Sequence, residues 1–190
     1  MSDLTKKALA SSLKEILKTK PISKVTVSDI CSHCGIRRQS FYYHFADLPE
    51  LVEWICWTEG EEALKKNKGY DGWEEGFYNI FLAAKKEKPF IMNIYHSVSG
   101  DTLRSYLFRL TMPLLQGVVE EIARSLRIQD ITESDKCFIE RFYSSAFVDV
   151  MLEWVARDME EDPRAIIEHL SPLVKGTIPN ALNAYSGRNQ

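Results

Sequence analysis

Thr26–Phe45, TVSDICSHCGIRRQSFYYHF, decides how this 190-residue chain is read. Thr26 offers a hydroxyl at a helix start, and Asp29 follows at the spacing of a capping box. Val27, Ile30, Cys31 and Cys34 recur at i, i+3, i+4 and i+7, so they share one helical face. Gly35 comes next and supplies the left-handed residue that ends a helix sharply. Ile36, Phe41 and Phe45 can anchor a second short helix to the same small core. Between these anchors stand Arg37, Arg38, Gln39, Ser40, Tyr42, Tyr43 and His44, all of them hydrogen-bond donors. Base edges and phosphate oxygens offer mostly acceptors, so such a surface suits a major groove. The stretch predicts a helix-turn-helix, with helices over about 27–34 and 37–44.

Outward from this motif every long segment has helical periodicity and none alternates as a strand would. Upstream, Leu9, Leu13, Ile16 and Leu17 form one stripe of a helix over about 3–19, broken at Lys20-Pro21. Downstream, Asp47 with Glu50 caps a helix from Leu48 to about Lys66. Its basic end, Lys65, Lys66 and Lys68, reads as a solvated terminus rather than a DNA patch. Asp71 and Glu74 start a helix over about 72–87, and Pro89 sits in the first turn of one over about 89–98. A helix from Gly100 to about Leu126 should bend near Pro113. Thr132 and Asp135 begin one that reaches about Met159, and Asp162-Pro163 one that reaches about Tyr185 despite Pro172 and Pro179. The expectation is an all-α chain of about nine helices: a DNA-binding domain over 1–46 and a helical body over 47–190.

The net charge of −3 conceals a division. Residues 1–45 hold eight Lys/Arg against three acids, +5; the remainder holds sixteen against twenty-four, −8. A basic head on an acidic body is the footprint of a nucleic-acid-binding module joined to something else. No run of apolar residues is long enough to span a membrane and no signal-peptide pattern opens the chain, which predicts a soluble cytoplasmic protein. Four cysteines at no framework spacing fit reduced thiols.

Arg38, Gln39, Ser40 and Tyr42 are the candidates for reading bases, since Arg pairs bidentately with guanine and Gln with adenine. Lys24, Thr26, Arg37, Tyr43 and His44 are the candidates for phosphates, and Lys6 can join them. The duplex is the expected partner. Cys31 and Cys34 also spell C-x-x-C, but a structural zinc site needs four ligands and no second pair exists. They read as small core side chains, with a zinc or thiol sensor as a remote alternative. No metal, cofactor or catalytic constellation is expected: the chain has no Gly-rich phosphate loop, H-E-x-x-H or nucleophile elbow. Ile167, Leu170, Val174 and Ile178, with Phe142 and Ala146 on the preceding helix, form apolar faces that two copies could pair into a four-helix dimer interface.

The pattern T-V-x-D-I-x-x-x-x-G-I-x-x-x-S-F-Y-Y-H-F, followed by Asp47-Leu-Pro-Glu-Leu51, resembles the TetR family of one-component transcription regulators. The resemblance covers roughly the first 55 residues at motif level. KKALASSLKEILKTKPISKVTV upstream and FVDVMLEW downstream look like the branch that resembles dihydroxyacetone-kinase operon regulators. It implies a homodimer whose first three helices bind a palindromic operator and whose body holds an effector. Trp73, Phe77, Tyr78, Tyr95, His96, Tyr106 and Phe147 are the candidate lining of that pocket, because apolar sites with a few polar tips hold small molecules. Repression relieved by a small molecule is the expected output. The alternative that the branch implies is activation with a docked, kinase-like protein partner. One position departs from the family: where members commonly carry a phosphate-binding Lys at the start of the fourth helix, this chain has Leu48.

Overall fold

A computed structural model describes residues 2–64, 72–97, 100–128 and 130–186. Among these residues the chain is all-α: α1 (Ser2–Leu17), α2 (Val27–Cys34), α3 (Arg38–His44), α4 (Leu48–Leu64), α5 (Trp73–Lys86), α6 (Lys88–Ser97), α7 (Gly100–Ser125), α8 (Glu133–Ala156) and α9 (Pro163–Ser186). The expected caps at Asp71 and the basic run Lys65, Lys66 and Lys68 lie outside the described residues.

Several ends differ from expectation for local reasons. α1 stops at Leu17, and a 3-10 turn (Ile22–Lys24) that helical periodicity did not reveal follows Pro21. α8 stops at Ala156 because Asp158 and Met159 take left-handed backbone angles (φ 59° and 56°). α9 runs unbroken through Pro172 and Pro179. Pro172 and Pro113 of α7 both lie on exposed positions, where the carbonyl each one frees can turn to water.

Two hydrophobic clusters organise the chain. The larger joins α5, α7, α8 and α9 through Trp73, Phe81, Leu115, Val119, Trp154 and Ile178, among others. The smaller gathers Leu9, Leu13 and Leu17 of α1, Ile30 and Cys31 of α2, and Phe41 and Phe45 around α3. It does not end with the helix-turn-helix: Leu51, Val52 and Ile55 of α4, Phe90 and Ile94 of α6, and Leu103 of α7 belong to it. The basic head therefore sits on a platform of body helices.

Candidate nucleic-acid interface

The motif is built by backbone chemistry before any packing. Thr26 Oγ1 accepts the Asp29 N–H (3.2 Å), and the Asp29 carboxylate accepts the Thr26 N–H (2.8 Å), completing the capping box. Lys20 Nζ adds an ion pair to the same carboxylate at 2.8 Å. That pair, then the two Thr26 bonds, draws the Asp29 carboxyl down to about 2. At the other end Gly35 takes φ 70°, and its N–H and that of Ile36 both turn back to the Cys31 carbonyl. An added Cβ at Gly35 would meet nothing within 4 Å, so glycine is required here by the backbone angle alone.

α3 is then pinned from beneath. Phe41 is wholly buried and Phe45 nearly so, one turn apart, with ring centroids at 5.9 Å. Ring contacts continue from Phe45 to Trp54 of α4 (5.9 Å). This anchoring turns the intervening residues outward: Arg37, Arg38, Gln39, Tyr42 and Tyr43 are exposed, Tyr43 by 83%. Ser40 and His44 are half-buried at the margins of that face. Arg38 Nη2 donates to the Tyr42 hydroxyl at 3.4 Å, so those two side chains present one joint surface. Tyr43 and His44 meet edge to face at 5.0 Å. The arrangement offers guanidinium, amide and phenol donors on one convex ridge, the shape and chemistry that a major groove accepts.

Around the ridge the candidate phosphate ligands divide. Lys24 is exposed at the end of the 3-10 turn. Thr26 is exposed, but its hydroxyl is already committed, accepting from Asp29 N–H and lying 2.9 Å from the Asp29 carboxylate. Lys6 sits with its ammonium 5.5 and 5.7 Å from the Phe45 and Trp54 ring centroids, near the end of α3. Leu48 is half-buried against the smaller cluster at the first turn of α4. Cys31 is buried, and the Cys34 thiol donates to the Ile30 carbonyl of its own helix (3.1 Å).

The body's candidate residues do not line one cavity. Trp73, Phe77 and Phe147 form an aromatic stack inside the larger cluster, Phe77 on Phe147 at 4.0 Å and 13°. Tyr78 is half-buried against the edge of the larger cluster, with the Arg164 guanidinium 3.5 Å over its ring. Tyr95 packs at the junction of the two clusters, and His96 beside it is exposed. Only Tyr106 of this set borders the apolar cavity among α4, α5, α6, α7 and α8. That cavity holds about 80 Å³, against roughly 300–1,000 Å³ for common small-molecule sites. Gly60 lets α4 come close to Leu110 of α7 and narrows it. Its half-buried polar lining includes Cys56, Tyr106, Glu53 and Glu59, and burial followed by the Glu59 charge pushes the Cys56 thiol up to about 12. Neither Cys56 nor Gly60 carried a sequence signal that would have placed it there.

The expected dimer face also needs correction. Ile167, Leu170, Val174 and Ile178 are 0–9% exposed within a single chain, so they have no area left for a second copy. They pack into the larger cluster. The other two expected members, Phe142 and Ala146, are exposed on α8 together with Phe138 at i, i+4 and i+8 spacing, and Leu173 of α9 is exposed as well. Phe142 is 62% and Leu173 56% exposed.

Comparison with known proteins agrees with this architecture. Residues 11–53 match the family model described as bacterial regulatory proteins, tetR family, and residues 71–176 match one described as transcriptional regulator C-terminal region. Over 158 residues the chain is 29% identical to the HTH-type dhaKLM operon transcriptional activator DhaS of Lactococcus lactis subsp. lactis (strain IL1403), covering 82% of each. Among solved structures, the dihydroxyacetone kinase operon activator DhaS superposes with a TM-score of 0.71 at 22% identity, over 92% of this chain and 96% of that one. NalD of Pseudomonas aeruginosa, the secondary repressor of the MexAB-OprM multidrug efflux pump, superposes at 0.60 and 17% identity, over 93% and 98%. At such identities the structural likenesses speak for the fold alone.

Proposed function

The chain belongs to the TetR family of DNA-binding transcription regulators, and from that premise we propose that it acts as a homodimer on a roughly palindromic operator. Residues 1–46 serve as the reading head and residues 47–190 as the body that pairs and responds. Each head lays α3 in a major groove, with half-sites one helical turn or a multiple apart. Arg38, Gln39, Ser40 and Tyr42 address base edges; Lys24, Arg37, Tyr43 and His44 address phosphates, Lys6 with them. The Thr26 hydroxyl is spent on Asp29, so that residue contributes by holding the start of α2 in place. The pair forms through the exposed stripe of Phe138, Phe142, Ala146 and Leu173. The observation that carries the reading is α3 itself, with Phe41 and Phe45 sunk in the core and five donor side chains raised between and beside them. The protein works in the cytoplasm, where its operator is; among the described residues no helix is long and apolar enough to cross a membrane.

The body sets the output. Occupying a promoter represses without further contacts, and a small molecule preferring a body conformation with the wrong head spacing would relieve it. A second reading, activation with a protein docked on the body, has two specific supports. The relative at 29% identity is an operon activator, and the internal cavity is narrow for a small-molecule effector. A reporter gene behind the selected operator separates the two: deletion of the regulator raises expression under the first reading and lowers it under the second. Sedimentation of the protein with operator duplex tests the common core. Two chains per duplex are expected, and one chain per duplex would overturn the dimeric reading.

A further inference from the structure

α6 belongs to both clusters. Its Phe90 and Ile94 are 2% and 1% exposed in the smaller one, while Ile91 and Tyr95 pack against both. Phe90 and Ile91 also border the narrow cavity. On the same helix Asn93, half-buried, reaches the backbone of the head twice. Its Nδ2 donates to the Leu17 carbonyl at 2.9 Å, and its Oδ1 accepts the Ile22 N–H at 2.9 Å. The partners fix the amide's orientation, because a carbonyl only accepts and a backbone N–H only donates.

Those two backbone groups are the orphans of the break at Lys20-Pro21. Leu17 is the last residue of α1, and the turn after it uses the carbonyls of Glu15 and Ile16 instead. Ile22 opens the 3-10 turn, where a helix start leaves its N–H without an earlier carbonyl. One side chain from α6 therefore satisfies both ends of the connection between α1 and α2. Other side-chain ties from α1 to the body, such as Lys14 with Glu59 and Glu87 and Lys6 over Trp54, end on long flexible ammonium groups that tolerate changes of angle. The Asn93 amide is short and bonded on both sides, so it does not.

We propose that Asn93 is a positioning residue for operator recognition: its two-sided amide clamp locks the α1–α2 connection to α6 and thereby fixes the angle at which α3 is presented. It touches no base in this role. It sets the half-site spacing that the dimer accepts, and so rests on the dimeric DNA-binding reading above. Inserting one base pair between half-sites turns one against the other by about 35°. A head held at a fixed angle rejects that change, whereas a loosened head follows it at the cost of a smaller competent fraction on the best site.

The test uses the full chain, as wild type, Asn93→Leu and Asn93→Asp, with Ile178→Val as a core truncation away from the connection. In amide hydrogen exchange, Ile22 is protected in the wild type and exchanges roughly tenfold faster in Asn93→Leu, as loss of one hydrogen bond implies, while Leu13 and Ile30 keep their protection. Asn93→Asp retains the acceptor for Ile22 and keeps more of that protection. Affinities are then measured for the selected operator and for versions with one base pair added or removed between half-sites. Asn93→Leu loses about tenfold on the best spacing and discriminates between spacings correspondingly less; Ile178→Val leaves the discrimination intact. An Ile22 amide unaffected by Asn93→Leu, or spacing discrimination equal to wild type, overturns the proposal. A wild-type chain with no two-half-site operator overturns the dimeric reading and this proposal with it, a result distinct from failure of the clamp alone.

Discussion

Salt weighs the head's phosphate contacts directly. Residues 1–45 carry eight Lys/Arg, but four of them are committed to acids: Lys7 to Asp3, Lys14 to Glu59 and Glu87, Lys18 to Glu15, and Lys20 to Asp29. Lys6, Lys24, Arg37 and Arg38 are left for the duplex. With three or four phosphate contacts per head and two heads, log K should fall against log salt with a slope of about −5 to −7, at about 0.9 per phosphate. Between about 50 and 200 mM salt that amounts to a loss of roughly 10³- to 10⁴-fold. The acidic body should repel the duplex and add little to this slope. Leu48→Lys places a cation at the first turn of α4 and should steepen the slope by up to about two per dimer, with no change in preferred sequence. Fluorescence anisotropy with a labelled operator measures both. A wild-type slope near −2 would mean that Lys6, Lys24 and Arg37 do not reach phosphate. A slope unchanged by Leu48→Lys would refute the placement of the α4 start beside the backbone.

Thr26→Ala removes the acceptor of the α2 capping box and should cost about 1 kcal/mol in denaturant unfolding; a change below about 0.3 kcal/mol would mean the helix start is held by packing alone. The Asp29 carboxyl is lowered in the folded chain to about 2, so its contribution is present above its unfolded value near 4 and is lost as pH falls through the folded one. The stability curve of Asp29→Asn should therefore converge on that of wild type between pH 4 and 2; parallel curves would deny the Lys20 and Thr26 bonds a role. Phe142→Asp with Leu173→Asp puts charge into the stripe left open by α8 and α9 and should yield a folded monomer by sedimentation. A dimer that survives both changes must use another face.

What was legible in the sequence is what acts over a few residues. The Thr26–Asp29 box, the left-handed Gly35 and the buried pair Phe41 and Phe45 are each set by neighbours one turn away, and the structure places them as the spacing predicts. Periodicity also located the long helices, because a stripe at 3.6-residue spacing identifies a helix. It does not say which neighbour covers the stripe. Ile167, Leu170, Val174 and Ile178 thus read as a partner face and instead close the chain's own core. Phe90 and Ile94 offered the same signal, yet their partners are in α1 to α4, about forty to eighty residues earlier. The aromatic stack of Trp73, Phe77 and Phe147 read as a pocket lining because polar tips do not reveal whether space remains beside them. Long-range polar ties such as Lys14 with Glu87, or Asn93 with Ile22, have no local pattern at all.

The central claim is that α3 reads duplex sequence through the face beginning at Arg38. Selection of bound sequences from random duplex DNA, run in parallel for the wild-type chain and Arg38→Ala, tests it most directly. The wild type should enrich two inverted half-sites, and Arg38→Ala should lose preference at one base pair in each half, at roughly 1–3 kcal/mol on the best site. A wild-type pool without enrichment, or an Arg38→Ala pool with the same preferred sequence, would contradict it.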